Sequence, residues 1–185
     1  LKALPAGAKF EPLMTCYMTH ETRPDEVEAG FKAGVFTCVK SYPANVTTNS
    51  AAGVSDYRKI RHVIARTEKI GMSLLIHGEA IDPQVDVFDR ESVFIDRELV
   101  PLTREFPGLK VILEHVSSKD GVDFVRGNGG QVGGTITLAS REPDRYALPD
   151  SRLLEPLIAK LVDLQAEPPA PPPAKAEGDS LQGRV

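Results

Sequence analysis

Residues 72–77, MSLLIH, form an apolar run of strand length that ends on a histidine. Similar β-prone runs recur along the chain, and amphipathic stretches of helical length lie between them. The other predicted strands are 10–19 (FEPLMTCYMT), 35–40 (VFTCVK), 109–115 (LKVILEH) and 132–137 (VGGTIT). The predicted helices are 24–33, 55–70, 87–106 and 119–126. Strands that alternate with helices are typical of consecutive βα units, so the sequence predicts an α/β fold with a parallel sheet.

The chain changes character near residue 138. Residues 151–165 have the pattern of one helix, and 166–185 are a polar, Pro- and Ala-rich tail that we expect to be disordered. The foldable part is shorter than the roughly 250 residues of an eight-unit barrel. We therefore predict a partial (β/α)8 TIM-type barrel of about five parallel strands in 1–137, a divergent segment in 138–165, and the tail.

Composition narrows the class of partner. The 185 residues carry a net charge of −4 without any basic cluster, which argues against nucleic acid and anionic membranes. No apolar run approaches the roughly 18 residues that span a bilayer. Cys16 and Cys38 lie among apolar residues, which favours reduced thiols and a reducing compartment. We expect a small-molecule partner and a cytoplasmic protein, or an organellar one where a transit peptide precedes Leu1.

Three polar residues end three of the predicted strands. Lys40, His77 and His115 are separated by 37 and 38 residues, about one βα unit each, and such strand ends form one rim in a parallel barrel. Two imidazoles could bind zinc. A lysine could join them only after losing its charge, for example as a carbamate formed with carbon dioxide, which could bridge two metals. The pattern alone leaves a metal site and ordinary strand-end residues equally open.

Several blocks of the sequence resemble the single-domain bacterial and plant dihydroorotases of the amidohydrolase superfamily. The resemblance covers about residues 3–137, and the order of KSYPANVTTNS, LIHGE and EH is specific to that family. The blocks are FEPLMTCYMT, GVFTCVKSYPANVTTNSAAGVSD, KIGMSLLIHGE, DVFDRESVFID, FPGLKVILEHVSSKDGVDFV and GGTIT. The resemblance implies a TIM barrel and the reversible cyclisation of N-carbamoyl-L-aspartate to L-dihydroorotate, in pyrimidine biosynthesis.

The resemblance also implies roles for individual residues. Lys40 matches the carboxylated lysine that bridges two zinc ions, and His77 and His115 match the histidines of the more exposed zinc. Thr47 and Thr48 match the threonines of a mobile lid that closes over the substrate.

The sequence departs from the family in two places. It contains no His-x-His pair, and the family pattern, with its zinc-ligating Asp, is lost after residue 137. We therefore expect a fragment or aberrant product that holds at most one zinc and is inactive alone. The alternative is a non-catalytic dihydroorotase-like protein that serves as a structural partner, for instance of aspartate transcarbamoylase or of a complete dihydroorotase subunit. The sequence leaves a homo-oligomer open.

Other polar residues are weaker candidates. Glu79 and Glu114 could both orient imidazoles. Glu114 should point away from His115 on a regular strand, which favours a structural role for it. We expect His20 and His62 to be structural or superficial. Residues 127–134, GNGGQVGG, precede a strand, so they indicate a helix stop and turn rather than a phosphate loop.

Overall fold

The computed structural model describes Gly7 and residues 10–136 of the chain. The predicted helix 151–165 and the tail 166–185 lie outside the described residues. Within them, five strands form one parallel sheet in the order of the sequence. The strands are β1 (Thr15–Met18), β2 (Cys38–Ser41), β3 (Ser73–His77), β4 (Lys110–Glu114) and β5 (Val132–Gly134). The prediction of a parallel α/β sheet is confirmed.

Helices connect consecutive strands, as predicted. They are α1 (Pro24–Lys32), α2 (Arg61–Lys69), α3 (Arg90–Phe94), α4 (Val100–Glu105) and α5 (Lys119–Gly127). A 3₁₀ turn, Tyr57–Ile60, precedes α2, and Asp56 caps it by accepting a hydrogen bond from the Arg58 amide. The second helical segment therefore starts just after the predicted Ser55.

The predicted helix 87–106 is divided into three parts. It begins at Arg90, and a π-helical turn, Ile95–Leu99, separates α3 from α4. Pro101 has no amide hydrogen to donate to the preceding turn, which explains why the regular hydrogen-bond ladder is interrupted there. Among the described residues, none of the helices has the length and apolar character that a membrane crossing requires.

The sheet buries most of one face. The side chains of that face belong to the hydrophobic core that the helices cover, and they alternate along the strands: Met18, Val39, Leu74, Ile76, Val111, Leu113 and Val132. The opposite face carries Tyr17, Lys40, Leu75 and Ile112, which lie side by side in the parallel register. Successive strand residues point to opposite faces, so burial of the apolar set fixes which side chains reach the other face.

Two adjacent leucines of β3 test this assignment of faces. Leu74→Ala should lower the free energy of unfolding by about 2–5 kcal/mol, because Leu74 is fully buried under the helices. Leu75→Ala should cost less, since Leu75 is only half-buried on the opposite face. Urea unfolding of both variants measures the difference. Equal losses would contradict the assignment.

Candidate metal centre at the carboxyl ends of the strands

The two predicted histidine ligands meet at one edge of the sheet. His77 is the last residue of β3, and His115 follows β4 directly. Their ring centroids are 4.3 Å apart. His115 has a φ of 44°, in the left-handed region, so the chain leaves strand geometry there. The structure thus brings together imidazoles that are 38 residues apart in sequence.

The His77 ring is half-buried, and its Nε2 is buried and left unsatisfied. Its Nε2 makes no hydrogen bond; Glu79 Oε1 lies 3.3 Å away, but without the alignment that a hydrogen bond needs. Burial, followed by the charge of His115, lowers the pKa of His77, and Glu79 opposes this shift. A neutral imidazole keeps a lone pair, so His77 is suited to bind a metal near neutral pH.

Lys40 lies on the same side of the sheet with only 6% of its surface exposed. Its Nζ contacts the carboxylate of Glu114 and lies 4.5 Å from the ring centroid of Tyr42. Burial lowers the pKa of Lys40 from 10.5 to about 8, while the neighbouring carboxylate favours the charged form. The amine is therefore neutral, and nucleophilic, in a much larger fraction than that of an exposed lysine.

Glu114 and Tyr42 are parts of this site that the sequence analysis missed. We expected Glu114 to be structural, but it lies beside His77 in the register and reaches Lys40. The expectation assumed that strand alternation continues through His115, which it does not. The Tyr42 ring lies 5.9 Å from that of His77 and packs edge-on against Tyr17. Its place two residues after Lys40, on the same side of the chain, was the available signal.

The segment between β2 and α2 has a fixed base and an exposed tip. Thr47 and Thr48 are exposed at the tip. Buried Ser50 donates a hydrogen bond to the Thr47 carbonyl at 2.6 Å and accepts one from the Thr47 amide at 3.0 Å. At the base, a Cβ on Gly53 would lie 2.4 Å from the Tyr42 carbonyl oxygen, so only glycine fits there. This arrangement is compatible with the predicted lid, which stays a prediction.

The remaining candidates lie elsewhere. His62 is exposed on α2, and His20 accepts a hydrogen bond from the Ser55 amide at 3.2 Å. Residues 127–134 end α5, turn and form β5. Both cysteines are unpaired thiols. Across residues 10–136, no three His, Cys, Asp or Glu side chains converge as a ready-made metal site. Within these residues, a modified Lys40 is our candidate for a third ligand at this edge.

Known proteins resemble this chain in sequence and in fold. No family model matches the chain. A dihydroorotase of Cereibacter sphaeroides is 52% identical over 137 residues, which are 74% of this chain and 40% of that protein. The solved dihydroorotase of Campylobacter jejuni has a TM-score of 0.61 at 31% identity, over 69% of this chain and 36% of its own.

A second solved relative is the Saccharomyces cerevisiae dihydroorotase in complex with 5-fluoroorotic acid. Its TM-score is 0.62 at 30% identity, and the match covers 68% of this chain and 38% of that one. The chain thus spans about 40% of the length of the curated relatives it matches. The five parallel strands correspond to part of the barrel of these enzymes.

Carbamate formation on Lys40 should follow the lowered pKa of its amine. Only the neutral amine reacts with carbon dioxide, so at a fixed partial pressure of the gas the carbamate should rise with pH, with a midpoint below that of an exposed lysine, because burial lowers the pKa of Lys40 to about 8. Glu114→Gln should move this midpoint to lower pH, because it removes a charge that favours the ammonium. Carbon-13 NMR with labelled carbon dioxide detects the carbamate carbon. Loss of its signal in Lys40→Arg assigns it to Lys40. A midpoint no lower than that of the exposed lysines of the same chain would contradict the burial argument.

Titration of His77 should respond in opposite directions to its two charged neighbours. His115→Ala should raise the pKa of His77, because the charge of His115 lowers it, and Glu79→Gln should lower it further, because Glu79 raises it. Proton NMR of the ring C–H signals measures the pKa of His77 in both variants. Shifts of equal sign would show that the two charges do not act as described.

Proposed function

We propose, for a chain homologous to the dihydroorotases over about three quarters of its length, that it carries part of that enzyme's active site. The reaction is the reversible cyclisation of N-carbamoyl-L-aspartate to L-dihydroorotate, in cytoplasmic pyrimidine biosynthesis. The observation that carries the proposal is the convergence of His77 and His115 beside a buried Lys40. The ligand of the yeast relative, a fluorinated orotic acid, supports a pyrimidine-type substrate.

The residues at this edge fit a zinc ion. His77 offers a buried nitrogen without a hydrogen-bond partner, and His115 lies against it. An unpaired buried polar atom is costly, and a metal bond would satisfy it. His77 and His115 would hold the ion together with modified Lys40. When bound, zinc would act as a Lewis acid on the carbonyl of the cyclic amide.

Lys40 prepares the site by its own chemistry. Its neutral amine attacks the carbon of carbon dioxide, an N–C bond forms, and one proton is lost to give an anionic carbamate. Glu114, in contact with Nζ, is placed to accept that proton. The product is a carbamate whose two oxygens share one negative charge, and such oxygens are suitable zinc ligands.

The exposed Thr47 and Thr48 act at a different stage. We assign them to a lid that positions the substrate and excludes water. The buried Ser50 ties the backbone of Thr47 to the rest of the segment by two hydrogen bonds. The non-catalytic alternative is not favoured, since relatives at about half identity bear the name of the enzyme. The sequence has no His-x-His pair, so full activity needs ligands from beyond these 185 residues.

A chimera tests the proposal. Residues 10–136 replace the matching segment of the Cereibacter sphaeroides dihydroorotase, and zinc content and turnover of L-dihydroorotate are measured. The chimera should turn over substrate. Lys40→Ala should lose both zinc and activity, because it removes the amine that would form the carbamate ligand.

The lid variant is the matched control for that experiment. Thr47→Ala with Thr48→Ala should keep the zinc and lower turnover, about 10-fold or more, because a lid acts on substrate and water rather than on the metal. The isolated 185-residue chain with zinc and bicarbonate should show no turnover. A fully active Lys40→Ala chimera, or zinc loss in the lid variant, would refute these assignments.

A further inference from the structure

Glu91 is a buried acid that the proposed chemistry does not use. It lies on α3, with 5% of its surface exposed. Its Oε1 accepts hydrogen bonds from the Ser118 amide at 2.8 Å and the Ser118 hydroxyl at 2.5 Å. Its Oε2 accepts from the Ser117 amide at 3.0 Å and the Ser117 hydroxyl at 3.2 Å. Burial of a carboxylate is costly, and these bonds from one dipeptide offset that cost.

The dipeptide that Glu91 binds follows His115 closely. Ser117 and Ser118 are the second and third residues after it, and Ser118 is the N-cap of α5. On the other side lies Thr135. Its hydroxyl accepts a hydrogen bond from the His115 amide at 2.8 Å. Its carbonyl accepts one from the Val116 amide, also at 2.8 Å. The left-handed conformation of His115 is therefore held from two elements, neither of which is β4.

The Glu91 carboxylate packs closely against α5. A Cβ added to Gly121 of α5 would lie 2.4 Å from Glu91 Oε1 and 2.7 Å from a methyl carbon of Val116. Only a glycine at this position of α5 lets the carboxylate reach the residues after His115. Left-handed conformations of residues with a Cβ are strained and persist where the surroundings enforce them.

From this geometry we infer that Glu91 is a positioning residue for His115, which it holds against His77 by fixing Ser117 and Ser118. The inference rests on the proposed function in that it assigns His115 to the metal centre. Glu91 itself touches neither imidazole and acts through the backbone. Its removal should therefore loosen one ligand without unfolding the sheet.

Two variants of the 185-residue chain test the inference. Glu91→Gln replaces an acceptor oxygen by a donor that faces the serine amides, and Gly121→Ala displaces the carboxylate although alanine favours the helix. In both, amide hydrogen exchange of Ser117 and Ser118 should accelerate about 10-fold or more, and the ring-proton contact between His77 and His115 in NMR spectra should weaken. Zinc affinity should fall about 10-fold.

The controls separate positioning from general stability. Gly127→Ala lies in the same helix, where an added Cβ meets nothing within 4 Å, and it should change none of these readouts. Ser92→Ala removes a second contact between α3 and α5, the hydrogen bond to Asp120, and should leave the His77–His115 contact intact. Gly121→Ala keeps the test valid where Glu91→Gln fails to fold.

Three outcomes would overturn the inference. The first is unchanged amide exchange at Ser117 and Ser118. The second is an equal acceleration of exchange at the core amide of Leu74. The third is an equal weakening of the His77–His115 ring contact in the Ser92→Ala control. Lack of zinc binding by the unmodified chain counts against the proposed function instead. The exchange and ring-contact readouts need no metal and decide the role of Glu91 by themselves.

Discussion

Parallel pairing of β2, β3 and β4 is the constraint on which the candidate site depends. Lys40 pairs with Leu75 and Leu75 with Ile112, so the three strands share one register at the edge that carries the site. Burial of the alternate apolar residues under the helices holds this register, because a slip by one residue would turn Lys40 into the helix layer. The hydrophobic core therefore determines that a lysine and two histidines from separate βα units share one edge.

Charge compensation is the second requirement of such an edge. Three basic nitrogens in a poorly solvated space would repel one another if all were protonated. The structure places a carboxylate beside two of them: Glu114 against Lys40 and Glu79 near His77. Burial favours the neutral forms of the same bases. The site thus combines bases that are readily deprotonated with acids that can accept the released protons.

The sequence was sufficient for the parts of the fold that depend on local pattern. All five strands and the helices between them follow from apolar runs and their spacing, and so does the expectation that Lys40, His77 and His115 share a rim. The conformation of His115 could not be predicted, because it depends on Thr135 and Glu91, which are 20 and 24 residues away. Glu114 was misjudged for the same reason, since its direction relative to His115 changes once alternation stops.

The control of His115 by distant elements also makes the site depend on tertiary packing more than on its own strands. Lys40 and His77 lie within strands, where ladder hydrogen bonds fix the backbone. His115 lies just outside one. Its amide bonds to Thr135, the residue after the three-residue β5, and Ser117 and Ser118, which follow it, bond to Glu91 of α3. Among the described strands, β5 pairs only with β4. Short edge elements open more readily than central strands. Any motion that separates β5 or α3 from β4 should therefore release His115 before the other two side chains move, so metal affinity and the packing of these outer elements are coupled.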